Sequence, residues 1–187
     1  MGVTINLHTI SALKEIFVRG GIKLRPLRSS DAMRLLEILS DDSSIRDKVT
    51  VASRLHTPED VIKEVKNYHK ETGLIRYTLL KEDKPIGIVS LWRDEGYFGT
   101  APQPDDYGFG FFLDPKERGK GLVTNALQCI MDTLVKNLHV NNFVVFCEDS
   151  NHESIAVLTK LGFGPTDKTF SEPYKGWLER KYVKPAA

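Results

Sequence analysis

The sequence is poor in the residues that build disulfide frameworks and metal sites. Its 187 residues include two cysteines, Cys129 and Cys147, and each lies within an apolar stretch. No CxxC motif, Cys/His cluster or HxxxH pair occurs. We therefore expect two small buried thiols in a reducing compartment and no metal site.

Charge of one sign and long apolar runs are scarce as well. The 26 basic and 25 acidic side chains leave a formal net charge of +1, so no global field favours nucleic acid or an anionic membrane. No apolar run approaches the length of a membrane span, and no basic segment followed by an apolar block opens the chain. These absences predict a cytoplasmic protein with no nucleic-acid or membrane partner, in which any electrostatic function is local.

Hydrophobic periodicity predicts one mixed α/β domain with the element order β-α-α-β-β-β-α-β-α-β-β. The domain is expected over residues 21–187. A weak helical stripe in residues 1–20 predicts an N-terminal extension that carries an extra helix or a partner-binding segment. The stripe consists of Leu7, Ile10, Leu13, Ile16 and Phe17, and Gly20-Gly21 is expected to end it.

Local signals indicate where helices begin and where loops lie. Ser29 or Ser30 is expected to cap the first helix of the domain, and Thr57 to cap the second. Residues 41–56 are polar and are expected to form a loop. Residues 93–106 are rich in Gly, Pro and Asp and are long for a simple turn, which indicates a functional lid. Its acids either suit a cationic amine or are simply solvated.

A strand-like run, YGFGFFL (107–113), leads through a basic, glycine-rich turn into the clearest helix of the sequence. Because the first backbone N–H groups of a helix lack partners and its dipole is positive there, such a turn attracts an anion. Gly119 and Gly121 let the backbone approach a bulky anion such as a pyrophosphate, and Arg118 and Lys120 add positive charge. The spacing fits neither a P-loop nor a dinucleotide-binding turn. From these residues alone, an anion site and a solvated basic helix end both stay open.

Two motifs resemble the GNAT superfamily of acetyl-CoA-dependent N-acetyltransferases. RGKGLV (118–123) resembles the R/Q-x-x-G-x-G/A signature of that family, with LDP before it, and NHESIAVLTKLGF (151–163) resembles its later helix motif. The predicted element order also agrees from residue 22 to the C-terminus. Ser154 and the long insert between strands are most similar to the RimJ/RimL-type branch, the ribosomal-protein N-acetyltransferases.

This resemblance implies a single GNAT-like α/β domain whose central, mixed, twisted sheet has about six to seven strands and is flanked by helices. It also implies acetyl-CoA as the acyl donor. The turn would cradle the coenzyme A pyrophosphate, while the backbone of the strand that ends at Leu113, together with Asn151, would contact the pantetheine arm. The residues assigned to the cofactor in this way are Leu113, Arg118, Gly119, Lys120, Gly121, Val123, Thr124 and Asn151.

Three positions depart from the family pattern. Val123 stands where Gly or Ala is usual, which is expected to crowd the turn. Gly108 stands where many relatives carry a Glu, and Leu158 where many carry a Tyr that protonates the leaving thiolate. The usual Glu and Tyr are therefore absent from these two positions.

Two other residues are candidates for that chemistry. Amine acetylation needs an uncharged nitrogen, and Glu148, at the end of a strand expected over residues 141–148, is the candidate base. The resemblance makes Ser154 the candidate proton donor to the thiolate. The alternatives are a solvated carboxylate at a strand end and a hydroxyl on a helix surface.

The resemblance predicts an enzyme that transfers an acetyl group from acetyl-CoA to a primary amine by direct attack. The acceptor would be a small molecule or a protein N-terminus, and the protein a monomer or a homodimer. The alternative is a non-catalytic acyl-CoA-binding sensor or assembly module, which the missing Glu and Tyr keep open.

Overall fold

The described part of the chain forms eight β-strands and five α-helices. The computed structural model describes residues 15–68, 74–94, 101–171 and 178–186. The strands are β1 (Ile16–Val18), β2 (Ile22–Pro26), β3 (Leu74–Lys81), β4 (Lys84–Asp94), β5 (Gln103–Leu113), β6 (Asn142–Cys147), β7 (Gly164–Ser171) and β8 (Leu178–Pro185). The helices are α1 (Ala32–Asp41), α2 (Ser44–Lys48), α3 (Pro58–Tyr68), α4 (Leu122–Asn137) and α5 (His152–Lys160). Among these helices, none is long and apolar enough to cross a membrane.

The strands form one mixed sheet in the order β1-β2-β3-β4-β5-β6-β8-β7. Strands β1, β2 and β3 pair antiparallel, as do β6, β8 and β7, whereas β5 and β6 run parallel. The predicted mixed α/β domain is confirmed, with one strand more than the expected upper number. By its packing the chain divides into a first unit, up to Leu91 plus Gly110–Cys129, and a second unit, Trp92–Phe109 plus the residues from Ile130 onward.

The extra strand lies where a helix was expected. Ile16 and Phe17 belong to β1, which pairs with β2 through the register Ile16↔Leu24. Gly20 and Gly21, with φ values of 96° and 74°, form the tight turn of this hairpin instead of ending a helix. The prediction of helix is therefore wrong for residues 16–17, and the rest of the predicted stripe, at residues 7–13, lies outside the described residues.

The core of the first unit lies under α1 and α3. The buried face of α1 packs in one cluster with Ile88 of β4 and Phe112 of β5. This face consists of Ala32, Leu35, Ile38 and Leu39, with Leu36 half-buried beside it. Residues 41–56 are not simply loop, because they contain α2 and a 3₁₀ turn at Ala52–Arg54. This segment is ordered since it buries four apolar side chains in the same cluster: Ile45, Val51, Ala52 and Leu55.

One predicted helix start is confirmed and one is wrong. At α3, the Asp60 amide donates to Thr57 Oγ1 (3.2 Å), and the Thr57 amide donates to Asp60 Oδ2 (2.9 Å), which is a reciprocal cap. At α1, Ser29 and Ser30 lie in a 3₁₀ turn, and Asp31 precedes the helix without capping it. The Asp31 carboxylate instead binds the buried Arg25 guanidinium, with Oδ2 at 2.8 Å from Nη1, because that cation needs a counter-ion.

The second unit is built around β6. Its residues Asn142–Val144 pair in parallel with Asp106–Gly108 of β5, and the rings of Phe109 and Phe143 lie 5.5 Å apart. Helix α5 ends at a left-handed glycine, Gly162, with the Phe163 amide donating to the Leu158 carbonyl (3.0 Å).

Residues 93–106, expected to form a loop that acts as a lid, belong in part to strands. Strand β4 continues to Asp94 and β5 begins at Gln103, while residues 95–100 lie outside the described part. Asp94 and Asp106 are buried, so neither is a solvated loop acid. Asp106 is held in the sheet because Asn142 Nδ2 donates to its Oδ1 at 2.9 Å.

Candidate functional site

The glycine-rich turn, residues 114–124 of the first unit, begins at a firmly held aspartate. The Asp114 amide donates to the Ile86 carbonyl (2.7 Å), and its buried carboxylate accepts a hydrogen bond from the Lys116 amide (2.9 Å). Arg34 of α1 binds the second carboxylate oxygen. These bonds fix the direction in which the chain leaves β5 and enters the turn.

The backbone of the turn requires two glycines. Gly119 and Gly121 have φ values of 75° and 72°, in the left-handed region that other residues rarely adopt. A Cβ atom built on either glycine would meet no heavy atom within 4 Å. Open space therefore lies beside the chain at both positions, and the glycines are needed for conformation and not to relieve contact with a neighbour.

The amides that follow the glycines are those of a helix N-terminus. In the described residues, the first backbone bond of α4 runs from the Asn125 amide to the Gly121 carbonyl (3.0 Å). The amides of Leu122, Val123 and Thr124 therefore have no backbone carbonyl partner there, as at the start of any helix. Adjacent amides at a helix dipole's positive end, next to left-handed glycines, form the concave donor group that binds phosphate oxygens.

The side-chain charges of the turn are balanced rather than simply basic. Arg118 Nη2 lies 2.8 Å from Asp42 Oδ2, and Lys120 Nζ lies 2.9 Å from Glu117 Oε2. Glu117 also binds Lys81 Nζ at 2.9 Å. The hydrogen bonds from Lys81 and then Lys120 hold the pKa of Glu117 below its ordinary value, so this carboxylate stays ionised at neutral pH. Any anion at the turn thus binds among cations that already have carboxylate partners.

The loop of the β1–β2 hairpin lies against the first turn of α4. Asn125 Nδ2 donates to the Arg19 carbonyl (3.2 Å), and a Cβ atom on Gly20 would lie 3.5 Å from that nitrogen. Sequence reasoning missed this contact because the glycine pair was interpreted as a helix end. The hairpin signal was present in the same pair, since two adjacent glycines supply two positive φ values.

In the second unit, three predicted site residues lie within seven positions of one another. The Asn151 amide donates to the Glu148 carbonyl (3.0 Å), and Asn151 Oδ1 accepts from the Ser154 amide (3.2 Å). Asn151 is thus the cap of α5, as its buried position requires. The Glu148 carboxylate accepts a hydrogen bond from the Ser150 hydroxyl at 3.2 Å. One turn of chain therefore brings the candidate base, the candidate proton donor and the pantetheine contact together.

The comparison with known families identifies the family to which the chain belongs. Residues 22–164 match the family model described as acetyltransferase (GNAT) domain. The chain belongs to the GNAT acetyltransferase family. The predicted family of acetyl-CoA-dependent N-acetyltransferases is thereby confirmed, and with it acetyl-CoA as the acyl donor.

Two bacterial proteins are similar to this chain in sequence. The ribosomal-protein-serine acetyltransferase of Escherichia coli K12 is 28% identical over 112 residues, which cover 58% of this chain and only 59% of that protein. A probable N-acetyltransferase of Bacillus subtilis, YjcK, is 27% identical over 171 residues, or 87% of this chain and 86% of the relative.

Solved GNAT structures share the fold at low identity. RimL, a ribosomal L7/L12 alpha-N-protein acetyltransferase solved with coenzyme A, superposes with a TM-score of 0.76 and 18% identity over 92% of this chain and 98% of its own. The microcin C7 self-immunity acetyltransferase MccE, solved with acetyl-CoA and AMP, superposes with a TM-score of 0.73 and 18% identity. The match covers 89% of this chain and 93% of MccE. These similarities show that the GNAT fold extends over nearly the whole chain.

The departures from the GNAT motif have packing explanations. Val123 is buried with 6% of its surface exposed, so its side chain faces the core and does not crowd the turn, contrary to expectation. A Cβ atom on Gly108 would lie 2.2 Å from Trp92 Nε1, so the indole fills the space that a Glu would need. Leu158 is fully buried in the core. The positions of the usual Glu and Tyr are thus taken up by apolar packing.

The two cysteines behave largely as the sequence predicted. Cys147 is buried and Cys129 is half-buried, and both remain thiols. Burial, followed by the nearby carboxylates of Glu179, Glu148 and Asp149, raises the pKa of Cys147 to about 12. This thiol is therefore protonated at neutral pH and packs as a small apolar side chain.

Proposed function

We propose that this GNAT protein transfers the acetyl group of acetyl-CoA to a primary amine, carried by a small molecule or by a protein N-terminus. The observation that carries the proposal is the later part of the glycine-rich turn, residues 118–124. There two left-handed glycines precede the first amides of α4, which have no backbone carbonyl partner in the described residues. This arrangement is suited to a diphosphate, because several N–H donors and the helix dipole converge on one anion.

The proposal assigns most of the predicted cofactor residues to the diphosphate. The amides from Gly119 to Thr124 supply the donors, and Arg118 and Lys120 supply positive charge. Val123 contributes its amide alone, since its side chain is buried. By family resemblance, the backbone at Leu113 and the Asn151 side chain bind the pantetheine arm. Because Asn151 Oδ1 already accepts the Ser154 amide, its Nδ2 group is the donor we assign to that arm.

Acetyl-CoA supplies a thioester whose carbonyl carbon is open to attack by an amine. The acceptor amine must then be made neutral, since the pKa of a free alkylammonium ion is about 10.4. We assign proton removal to Glu148, directly or through a water. We assign protonation of the thiolate to the Ser154 hydroxyl, which lies in the first turn of α5, where the helix dipole favours negative charge.

The acceptor is proposed from the relatives only as a class. One relative is named for acetylating a ribosomal-protein serine, and solved neighbours include enzymes named for the L7/L12 N-terminus and for aminoglycosides. Each of these acceptors carries a primary amine, and we expect the acceptor of this protein to carry one too. A ribosomal acceptor would agree with a cytoplasmic protein, which stays a prediction, as does the monomeric or homodimeric state.

A specific observation also favours the alternative, a non-catalytic acyl-CoA-binding module. Trp92 covers Gly108 and Leu158 is buried, so the family's frequent carboxylate and phenol have no place at those positions. A binding module would need neither group. The two functions differ in one respect, because the module binds acetyl-CoA without transferring its acetyl group to any amine.

The test combines binding with turnover. Calorimetry should show that acetyl-CoA and coenzyme A bind, while NAD at equal concentration does not. Thiol release should then be followed with a peptide carrying an N-terminal serine, an aminoglycoside and spermidine as acceptors. Amine-dependent release supports the enzyme. Tight binding without any release across the panel supports the module, and equal binding of NAD would reject both.

A further inference from the structure

Two neighbouring carboxylates at the end of α1 hold cations of the glycine turn. Asp41 Oδ2 lies 2.7 Å from Lys116 Nζ, and Asp42 Oδ2 lies 2.8 Å from Arg118 Nη2. The first pair is open to solvent, with side-chain exposures of 72% for Lys116 and 45% for Asp41. The second is more enclosed, at 33% for Arg118 and 21% for Asp42. Because solvent screens exposed ion pairs, the Asp42–Arg118 pair is the one that can fix a side chain.

The Asp42 carboxylate is itself held in place from its other side. Its Oδ1 accepts hydrogen bonds from the Ser44 hydroxyl (2.6 Å) and the Ser44 amide (3.1 Å) at the start of α2. The Ser44 hydroxyl bond lowers the pKa of Asp42, burial opposes this, and Arg118 lowers the pKa further. The carboxylate is therefore ionised at neutral pH, with one oxygen occupied by Ser44 and the other presented to Arg118.

An arginine can be held by a carboxylate and still bind an anion. The guanidinium group carries five N–H donors, and the bond to Asp42 uses a donor on Nη2. A guanidinium group presents N–H donors along more than one edge, so one group can bind a carboxylate and a phosphate oxygen at the same time. Holding the long side chain in place beforehand also removes part of the conformational entropy that binding would otherwise cost.

We propose that Asp42 is a positioning residue for acyl-CoA binding, which holds the Arg118 guanidinium beside the glycine turn so that it meets a phosphate group of the coenzyme. The chain Ser44–Asp42–Arg118 then acts as one unit, and Asp42 contributes to affinity only through Arg118. This inference rests on the proposed function, because it assumes that the turn binds the coenzyme's phosphates.

The test is a double-mutant cycle on the dissociation constant of coenzyme A, measured by calorimetry. The four proteins are the wild type, Asp42→Asn, Arg118→Met and the double variant. An asparagine side chain at position 42 has only one oxygen. If that oxygen accepts the hydrogen bonds from Ser44, the NH₂ group faces the guanidinium and cannot accept a hydrogen bond from it. We expect Kd to rise about tenfold in Arg118→Met and about threefold in Asp42→Asn, and the double variant to be no weaker than Arg118→Met alone.

The neighbouring carboxylate provides the matched control. Asp41→Asn removes the same charge one residue away and should change Kd by less than about 1.5-fold, since its ion pair is exposed. Additive losses in the cycle, tighter binding by Asp42→Asn, or an equal loss in Asp41→Asn would each overturn the positioning role. A wild-type protein that binds no coenzyme A would reject the proposed function itself, whereas binding with additive losses rejects the role of Asp42 alone.

Discussion

The glycine turn of the first unit and the segment from Glu148 to Ser154 in the second unit differ in the groups on which their proposed functions depend. The turn depends on backbone conformation, with Gly119 and Gly121 at φ values of 75° and 72°. The segment depends on side chains, and two of them also make local structural bonds: Glu148 accepts from the Ser150 hydroxyl, and Asn151 accepts from the Ser154 amide. A site of backbone amides that depends on left-handed glycines tolerates few substitutions at those glycines. A site made of common polar side chains is harder to recognise in a sequence.

The strongest test of this contrast is a side chain placed in the turn. Gly121→Asp adds a carboxylate at the diphosphate position and forces a left-handed φ on a residue that disfavours it. We expect Kd for coenzyme A, measured by calorimetry, to rise by more than about 100-fold, because the charge repels phosphate and the side chain occupies the space beside the amides.

Gly162→Asp is the matched control for this variant. Gly162 also has a positive φ, 83°, and a Cβ there meets no heavy atom within 4 Å, but it ends α5 instead of opening α4. Its backbone strain is therefore similar, and its affinity for coenzyme A should be nearly that of the wild type. Equal losses in the two variants would show that strain, and not the anion site, explains the effect.

The same contrast explains how much could be predicted from the sequence. The turn and α4 were found because glycines, basic residues and a regular apolar stripe point to the same structure. The hairpin at Gly20-Gly21 was missed, since a glycine pair ends helices as well as forming turns. Helix α2 was missed because its five residues carry one buried side chain, Ile45, which is too few to show a period.

Side-chain contacts across strands were beyond the sequence as well. Nothing in the pattern around Gly108 shows that Trp92 covers it, because the two residues are sixteen positions apart and meet only through strand pairing. The burial of Asp94 and Asp106 was missed for a similar reason, as acids beside Gly and Pro are typical of loops. The cap formed by Asn151 could have been predicted from its place before a helical stripe, but the sequence analysis assigned Asn151 only to the pantetheine arm.

In the side-chain segment, the largest effect is expected from Ser154. Ser154→Ala removes the hydroxyl but keeps the amide that donates to Asn151, so the cap and coenzyme A affinity should persist. We expect kcat to fall by about 10- to 100-fold, because a proton donor acts only as charge develops on sulfur. Thr159→Val serves as the control, since that hydroxyl binds the Ile155 carbonyl within the same helix. An unchanged kcat in Ser154→Ala would mean that the Ser154 hydroxyl takes no part in the reaction and is only a helix-surface group.

Glu148→Gln should have a smaller effect that depends on pH. The amide keeps the shape and can still accept the Ser150 hydroxyl bond, but it cannot take a proton from the amine. We expect kcat/KM to fall about tenfold near neutral pH and to recover as the amine itself becomes neutral, from about pH 7 towards pH 10. A rate–pH profile against the wild type measures this. A deficit of the same size at every pH would mean that the carboxylate binds the acceptor and does not act as a base.

The smallest effect on binding is expected from Val123→Ala, which installs a residue that the family motif favours. If the turn works through its backbone alone, Kd for coenzyme A should stay within about twofold, because the Val123 side chain is buried in the core. Stability should fall by about 1–2.5 kcal/mol, from the lost burial of two methyl groups and the cavity they leave. Calorimetry gives Kd, and urea unfolding gives the stability change.

Val61→Ala in α3 is the matched control, because Val61 is also a buried valine in a helix. It should lose similar stability with no change in Kd. Binding that tightens more than about threefold in Val123→Ala, but not in Val61→Ala, would show that side-chain bulk does limit the turn and that its backbone is not the whole of the site.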